Sequence, residues 1–343
     1  MQIKHLISAS TLTRNELFSY VHAAEQMRLH VESERENFSH LIREPLSRVD
    51  PVNVRYPDKT LITMFYEPST RTNCSFQAAA IKLGSRVITL AESASSMRKG
   101  ESLEDTIRTL HHYGDAIVLR HPENGSSERA VAVSNVPIIN GGDGNGEHPT
   151  QALTDVFTIY TEITRRYSAS INIFTYRTLY SNSEPITITF VGDLKNSRTV
   201  HSLIRLLTLC WNLRFIYVSP ESLEMPDELV SHVASFDIFE QNKMPSIRDA
   251  IRTTDVLYMT RIQKERFESD EAYQSVMREA ELYTLTPELM SMAKEKMIVM
   301  HPLPRLSELP PEIDRDERAV YFKQVENGMY MRMAILDKLF RTY

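Results

Sequence analysis

The sequence predicts an α/β protein built from two doubly wound parallel-sheet domains with a cleft between them and a C-terminal helix returning to the first domain. Three observations carry this. From residue 61 onward, short apolar runs alternate with helical stretches; the runs fall into two series; and the residues directly after them are rich in hydroxyl, arginine and histidine side chains. A length of 343 residues also exceeds what one hydrophobic core usually organises.

The elements follow in order. Thr13-Arg14-Asn15-Glu16 has the form of a capping box, so a helix starts at about residue 14. LITMFYE, SRVITL, AIVLR and VPIIN read as buried strands, with helices after Ser69, after Gly100 and around residues 127–134. A further helix opens near His148. The second series is ITITFVGD, LRFIYVSP, FDIFEQ, DVLYMT and MIVMHP. Residues 163–185 have no clear period and end in a Ser/Asn/Pro cluster, as a variable excursion would. ENGMYMRMAILDKLF has helical spacing. The expected division is residues 1–150 for the first domain, 151–326 for the second, and a helix over 327–343 packing back on the first.

Composition narrows the function classes. Hydrophobic content of 42% with 24% charged residues is that of a soluble protein, and no apolar run reaches membrane-spanning length. The N-terminal segment lacks a secretory h-region, so a cytoplasmic location is expected. Cys74 and Cys210 are far apart and have no histidine at ligand spacing, so neither a disulfide framework nor a zinc site is suggested; no cofactor is expected. A net charge of −6 gives no general attraction for nucleic acid.

In open parallel sheets, ligands bind beyond the carboxyl ends of the strands. The polar residues predicted there are Ser69 to Thr72, Arg120, Asn140, Asp193, Thr260 with Arg261, and His301. They come from both domains, so a cleft for two small polar substrates is the natural reading. In PSTRTNCSF, hydroxyls, Arg71 and the amides of a helix start converge as an anion site would require. Plain N-capping by Ser69 or Thr70 would use the same hydroxyls. His148 before Pro149 fits the start of a helix equally well without chemistry. VGDLKNSRT has only Gly192 of a dinucleotide fingerprint, which argues against nucleotide binding.

FYEPSTRT followed by SF and LG resembles the carbamoyl phosphate motif of the transcarbamoylase family. SSMRKGESLEDTIRTL, AIVLRHPE and NGGDGNGEHPTQALTDVF resemble that family's mobile loop, its second-arginine strand and its histidine segment, in the right order. VGDLKNSRTVHSL, LYMTRIQKERF, MIVMHPLPR and YFKQVENGMYMRMAIL resemble the aspartate branch. His301-Pro302-Leu303-Pro304-Arg305 stands where the ornithine branch would carry a cysteine. Two carboxylates on the acceptor call for paired cations, a task that suits the planar forks of Arg198 and Arg261.

The resemblance implies transfer of the carbamoyl group of carbamoyl phosphate to the amine of L-aspartate, giving N-carbamoyl-L-aspartate and phosphate in pyrimidine biosynthesis. It implies that Ser69, Thr70, Arg71, Thr72, Ser95, Lys99, Arg120, His148, Gln151, Leu303 and Pro304 bind carbamoyl phosphate. Lys99, Arg198, Arg261, Gln263 and Leu303 are then the aspartate ligands. Arg71, Thr72, Arg120, His148 and Lys99 have catalytic roles, with donors aimed at the carbamoyl oxygen supplying most of the effect. Ser95 and Lys99 are implied to reach a neighbouring subunit's site in a homotrimer. The alternatives are a transcarbamoylase with another acceptor, such as ornithine, and a noncatalytic subunit retaining the fold. Asn196-Ser197, residues 163–185 and residues 38–58 depart from the family pattern.

Overall fold

The structure, a computed structural model, describes residues 4–41, 55–91, 100–167, 173–174, 184–238 and 240–342. These form two compact units: residues 1–157 with 325–343, and residues 158–324.

The first unit opens with α1 (Arg14–Leu41). Its start is the expected capping box: the Thr13 backbone amide donates to Glu16 Oε2 at 3.0 Å, and the Glu16 amide donates to Thr13 Oγ1 at 3.3 Å. Then follow β1 (Thr60–Phe65), α2 (Thr70–Lys82), β2 (Arg86–Ala91), α3 (Leu103–Leu110), β3 (Ala116–His121), α4 (Ser126–Val131), β4 (Ile138–Asp143) and α5 (Pro149–Tyr167). The sheet has the order β2-β1-β3-β4 and all its pairs are parallel. Strands β1, β3 and β4 are buried almost throughout because helices cover both faces, which is why they read as unbroken apolar runs. Leu6 bridges Ile139 of β4 on the open side of that strand, so the N-terminal segment covers that edge.

The second unit contains β5 (Ile186–Val191), α6 (Arg198–Leu207), β6 (Leu213–Val218), α7 (Asp227–Ala234), β7 (Glu240–Lys243), α8 (Ile247–Ala250), β8 (Val256–Met259), α9 (Asp270–Met277), α10 (Pro287–Met292) and β9 (Ile298–Met300). Its order is β7-β6-β5-β8-β9, again all parallel. The expected strand FDIFEQ lies further along the chain, at Glu240–Lys243. It is an exposed edge strand whose sequence, EQNK, has no buried face to advertise. The last helix, α11 (Tyr321–Thr342), returns the chain to the first unit from Val325 onward, as expected. Most of residues 163–185 and of 38–58 lies outside the described residues, although α5 continues to Tyr167 and α1 to Leu41.

Glu162 on α5 is wholly buried and pairs with Lys323 (2.5 Å), Arg165 (2.6 Å) and Arg166 (3.4 Å). Burial pushes its pKa up, but hydrogen bonds from Lys323 and Arg165 outweigh burial and leave it below the usual 4.5. A depressed folded-state pKa stabilises the fold fully above the unfolded value and loses that stabilisation as pH falls through the folded one. Glu162→Gln is expected to cost about 2–3 kcal/mol at neutral pH. That is less than for a fully buried pair, because Arg165 and Lys323 keep much of their contact with water. Urea unfolding at pH 7 and below pH 4 checks this: the gap between the two proteins should close on the acid side, and a constant gap would mean a packing effect.

Candidate active site

Each sheet reverses its winding at one point, between β1 and β3 in the first unit and between β5 and β8 in the second. The crevice beyond the carboxyl ends of strands at such a point is where doubly wound sheets bind ligands. After β1 comes the Ser69–Thr72 segment, and Arg120 lies near the end of β3. Asp193 follows β5, and Thr260 with Arg261 follows β8. His301 follows β9 instead, one strand away from the switch point, while these other sequence-predicted residues sit at the switch points of their own units. Asn140 does not: it lies within β4, where its side chain is used up on Ile7 O (2.9 Å) and the Gly142 amide (2.7 Å).

In the first unit the site is an open helix start. Ser69 is the N-cap of α2, yet its side chain makes no capping hydrogen bond, so the capping alternative is not realised. Arg71 is exposed, and among the described residues no carboxylate pairs with it; partial burial alone draws its pKa below the ordinary value. A helix start with uncapped amides and an arginine without a counter-charge is an anion site in waiting. Buried Thr72 faces buried His148, with Oγ1 and Nε2 at 3.4 Å, while Thr150 Oγ1 lies 3.4 Å from Nδ1.

Arg120 is held differently, by Glu67 at 3.1 Å and by the Gly141 carbonyl at 3.2 Å. The segment before His148 is a scaffold: Asp143 accepts from the Glu147 and Gly125 amides, and Glu147 accepts from Ser8 and the Ala9 amide. Gln151, one turn into α5, donates from Nε2 to Asp155 Oδ1 at 2.8 Å. Sequence reasoning missed Glu67, Asp143, Glu147 and Asp155, whose roles show only once the chain is folded.

In the second unit, Gly192 has φ 111°, and a Cβ there would stand 2.2 Å from the Thr260 carbonyl oxygen, so only glycine lets β5 and β8 end side by side. Asp193 is buried, which raises its pKa against the lowering effect of hydrogen bonds from Asn196. The Asn196 that departs from the family pattern thus ties the loop to Asp193, through its amide at 2.9 Å and its side chain at 3.1 Å. Gln263 reaches the same carboxylate at 3.5 Å. Arg198 is the first residue of α6. Arg261 forks onto Glu265, which raises its pKa.

Leu303 adopts φ 57° and precedes a cis bond to Pro304. Its amide donates to His301 Nδ1 at 2.8 Å, which makes Nδ1 the acceptor and leaves Nε2 to donate to Glu308 at 2.9 Å. Glu308 also accepts from the Leu306 amide, so the dyad shapes the whole 301–308 turn. Ser95 and Lys99 lie outside the described residues. No group of metal-ligating residues occurs among the described residues.

The carbamoyl-P binding domain model of the aspartate/ornithine carbamoyltransferases matches residues 4–161, and the Asp/Orn binding domain model matches residues 184–339. The aspartate carbamoyltransferase catalytic subunit of Clostridium botulinum is 44% identical over 282 residues, 82% of this chain and 85% of that one. The chain belongs to the aspartate/ornithine carbamoyltransferase family. The multifunctional protein pyr1-3 of Dictyostelium discoideum is 45% identical over 98% of this chain, but the match covers only 13% of that protein's length.

Solved carbamoyltransferases share the fold. The catalytic subunit of M. jannaschii aspartate transcarbamoylase superposes with a TM-score of 0.83 at 39% identity, covering 99% of both chains. The Trypanosoma cruzi aspartate transcarbamoylase solved with N-(phosphonacetyl)-L-aspartic acid gives 0.81 at 37% identity, covering 98% of this chain and 95% of that one. The gap between the two carbamoyltransferase domain models, residues 162–183, takes in all but the last two residues of the stretch 163–185 that the sequence marks as a variable excursion.

Proposed function

We propose that this carbamoyltransferase joins carbamoyl phosphate and L-aspartate into N-carbamoyl-L-aspartate and phosphate, the pyrimidine-forming reaction. The uncapped start of α2, carrying Arg71 with no carboxylate partner among the described residues, carries the reading, because amides and a guanidinium together suit an anion such as phosphate. Ser69, Thr70, Arg71 and Thr72 hold the phosphate. Thr72, Arg120 and His148 donate to the carbamoyl oxygen, on which negative charge develops as the aspartate amine attacks. The new C–N bond forms, the C–O bond to phosphate breaks, and the departing phosphate takes the amine proton. Arg198, Arg261 and Gln263 bind the acceptor, and the backbone of Leu303 and Pro304 faces the substrates. The two aspartate transcarbamoylases of Clostridium botulinum and Trypanosoma cruzi favour aspartate over ornithine as acceptor.

Ser95 and Lys99 complete each site from a neighbouring copy in a homotrimer, on the family resemblance. The protein works in the cytoplasm; no described helix is long and apolar enough to cross a membrane. An assay of carbamoyl aspartate formation on size-fractionated protein tests the reading, with ornithine as the competing acceptor. Activity should follow aspartate and a trimer-sized peak. Turnover of ornithine alone would reassign the acceptor, and activity confined to a monomer would remove the shared site.

A further inference from the structure

We propose that Glu147 is a positioning residue for His148, with the N-terminal segment as its anchor. The proposal rests on the reading that His148 donates to the carbamoyl oxygen. Glu147 directly precedes His148 in the chain, yet its carboxylate is spent elsewhere. Oε1 accepts from Ser8 Oγ at 2.6 Å and from Ser10 Oγ at 3.3 Å, and Oε2 accepts from the Ala9 amide at 2.6 Å. With both oxygens engaged, Glu147 is a clamp on the far end of the chain, made of the stronger, charge-assisted kind of hydrogen bond. Its backbone is fixed as well: the amide donates to Asp143 Oδ1 at 2.8 Å, and the carbonyl accepts from the Asp143 amide at 3.4 Å.

The anchor is itself tied down. The Ser10 amide donates to Ser8 Oγ at 3.0 Å and Thr11 Oγ1 to the Ser8 carbonyl at 3.1 Å, which closes residues 8–11 into a turn. On one side of this turn, Leu6 exchanges backbone hydrogen bonds with Ile138 (2.9 Å) and Asn140 (2.8 Å), and Asn140 Nδ2 donates to the Ile7 carbonyl at 2.9 Å. On the other side the chain runs directly into the capping box that starts α1. Glu147 therefore grips a turn held by both β4 and α1. Towards the site, the His148 carbonyl accepts from the Gln151 and Ala152 amides that open α5. The two ring contacts, to Thr72 and Thr150, are both 3.4 Å long and hold the ring only weakly, so the placement of the peptide that carries it matters. A donor to developing charge is effective only when it is held in place beforehand.

A double-mutant cycle tests this. Because the donor acts on charge that develops in the transition state, its misplacement shows in kcat and not in KM. Glu147→Ala is expected to lower kcat about tenfold, the scale of a slightly misplaced catalytic group, with KM for both substrates within about twofold of the parent. In a His148→Ala chain the same substitution should cost less than a factor of about two, since the group it positions is gone. Glu147→Gln keeps an acceptor for the Ala9 amide and should recover most of the rate. An equal loss of kcat in both backgrounds, or a lowered melting temperature with kcat unchanged, overturns the proposal. If Glu147→Ala shows no melting transition, Ser8→Ala combined with Ser10→Ala, which removes both donors to Oε1, takes its place in the cycle under the same criteria. His148→Ala with an unchanged kcat also overturns it, whereas a parent chain that makes no carbamoyl aspartate overturns the functional reading itself.

Discussion

Arg71→Ala is expected to lower turnover by about a hundredfold to a thousandfold, the range for removing a preorganised donor from a site where charge develops. In the proposed reaction the departing group is a phosphate, and Arg71 stands at the helix start proposed to hold it. Arg120 is braced by Glu67, so its loss would also strip a counter-charge from that carboxylate. Arg71 has no such partner among the described residues, and its replacement should leave stability within about 0.5 kcal/mol. Arg71→Lys should recover only part of the rate, because an ammonium keeps the charge but not the fork. Steady-state rates with thermal melting of the same preparations check this. Activity within a few-fold of the parent would show that the phosphate is held elsewhere.

The contrast between these two arginines marks the boundary of what sequence reveals. Strands such as LITMFYE and ITITFV are legible because burial on both faces leaves an unbroken apolar run, and their carboxyl ends then point to Arg71, Arg120 and Arg261 without further information. Strand β7 is not legible, since an exposed edge imposes no pattern on Glu240–Lys243. The bridge of Leu6 to Ile139 is a single tertiary pairing with no period at all.

Counter-charges fall in the same class. Glu67 and Glu265 resemble any surface carboxylate until the chain folds, and then they set which cations are held and which are open. The left-handed Leu303 is similar. Nothing in HPLPR announces that His301 will accept from its amide while donating to Glu308, seven residues further on.

Arg261→Ala is expected to raise KM for aspartate about 10-fold to 150-fold, which corresponds to the roughly 1.5–3 kcal/mol of a hydrogen bond to a charged group. KM for carbamoyl phosphate should stay near its parent value. The Glu265 carboxylate now occupies the Arg261 fork in the geometry a substrate carboxylate would take. On the proposed role of Arg261 as an acceptor ligand, Glu265 is therefore a competitor that aspartate has to displace. The displacement is cheap, because the pair is partly solvated, with 27% of the Arg261 side chain and 52% of the Glu265 side chain exposed, and such pairs are worth only about 0–1 kcal/mol. Glu265→Gln should accordingly lower KM for aspartate by up to about fivefold, most clearly at low ionic strength, where the competing charge is least screened. The opposite result, a raised KM in Glu265→Gln with the same salt dependence, would mean that Glu265 holds Arg261 in its binding orientation and does not compete for it.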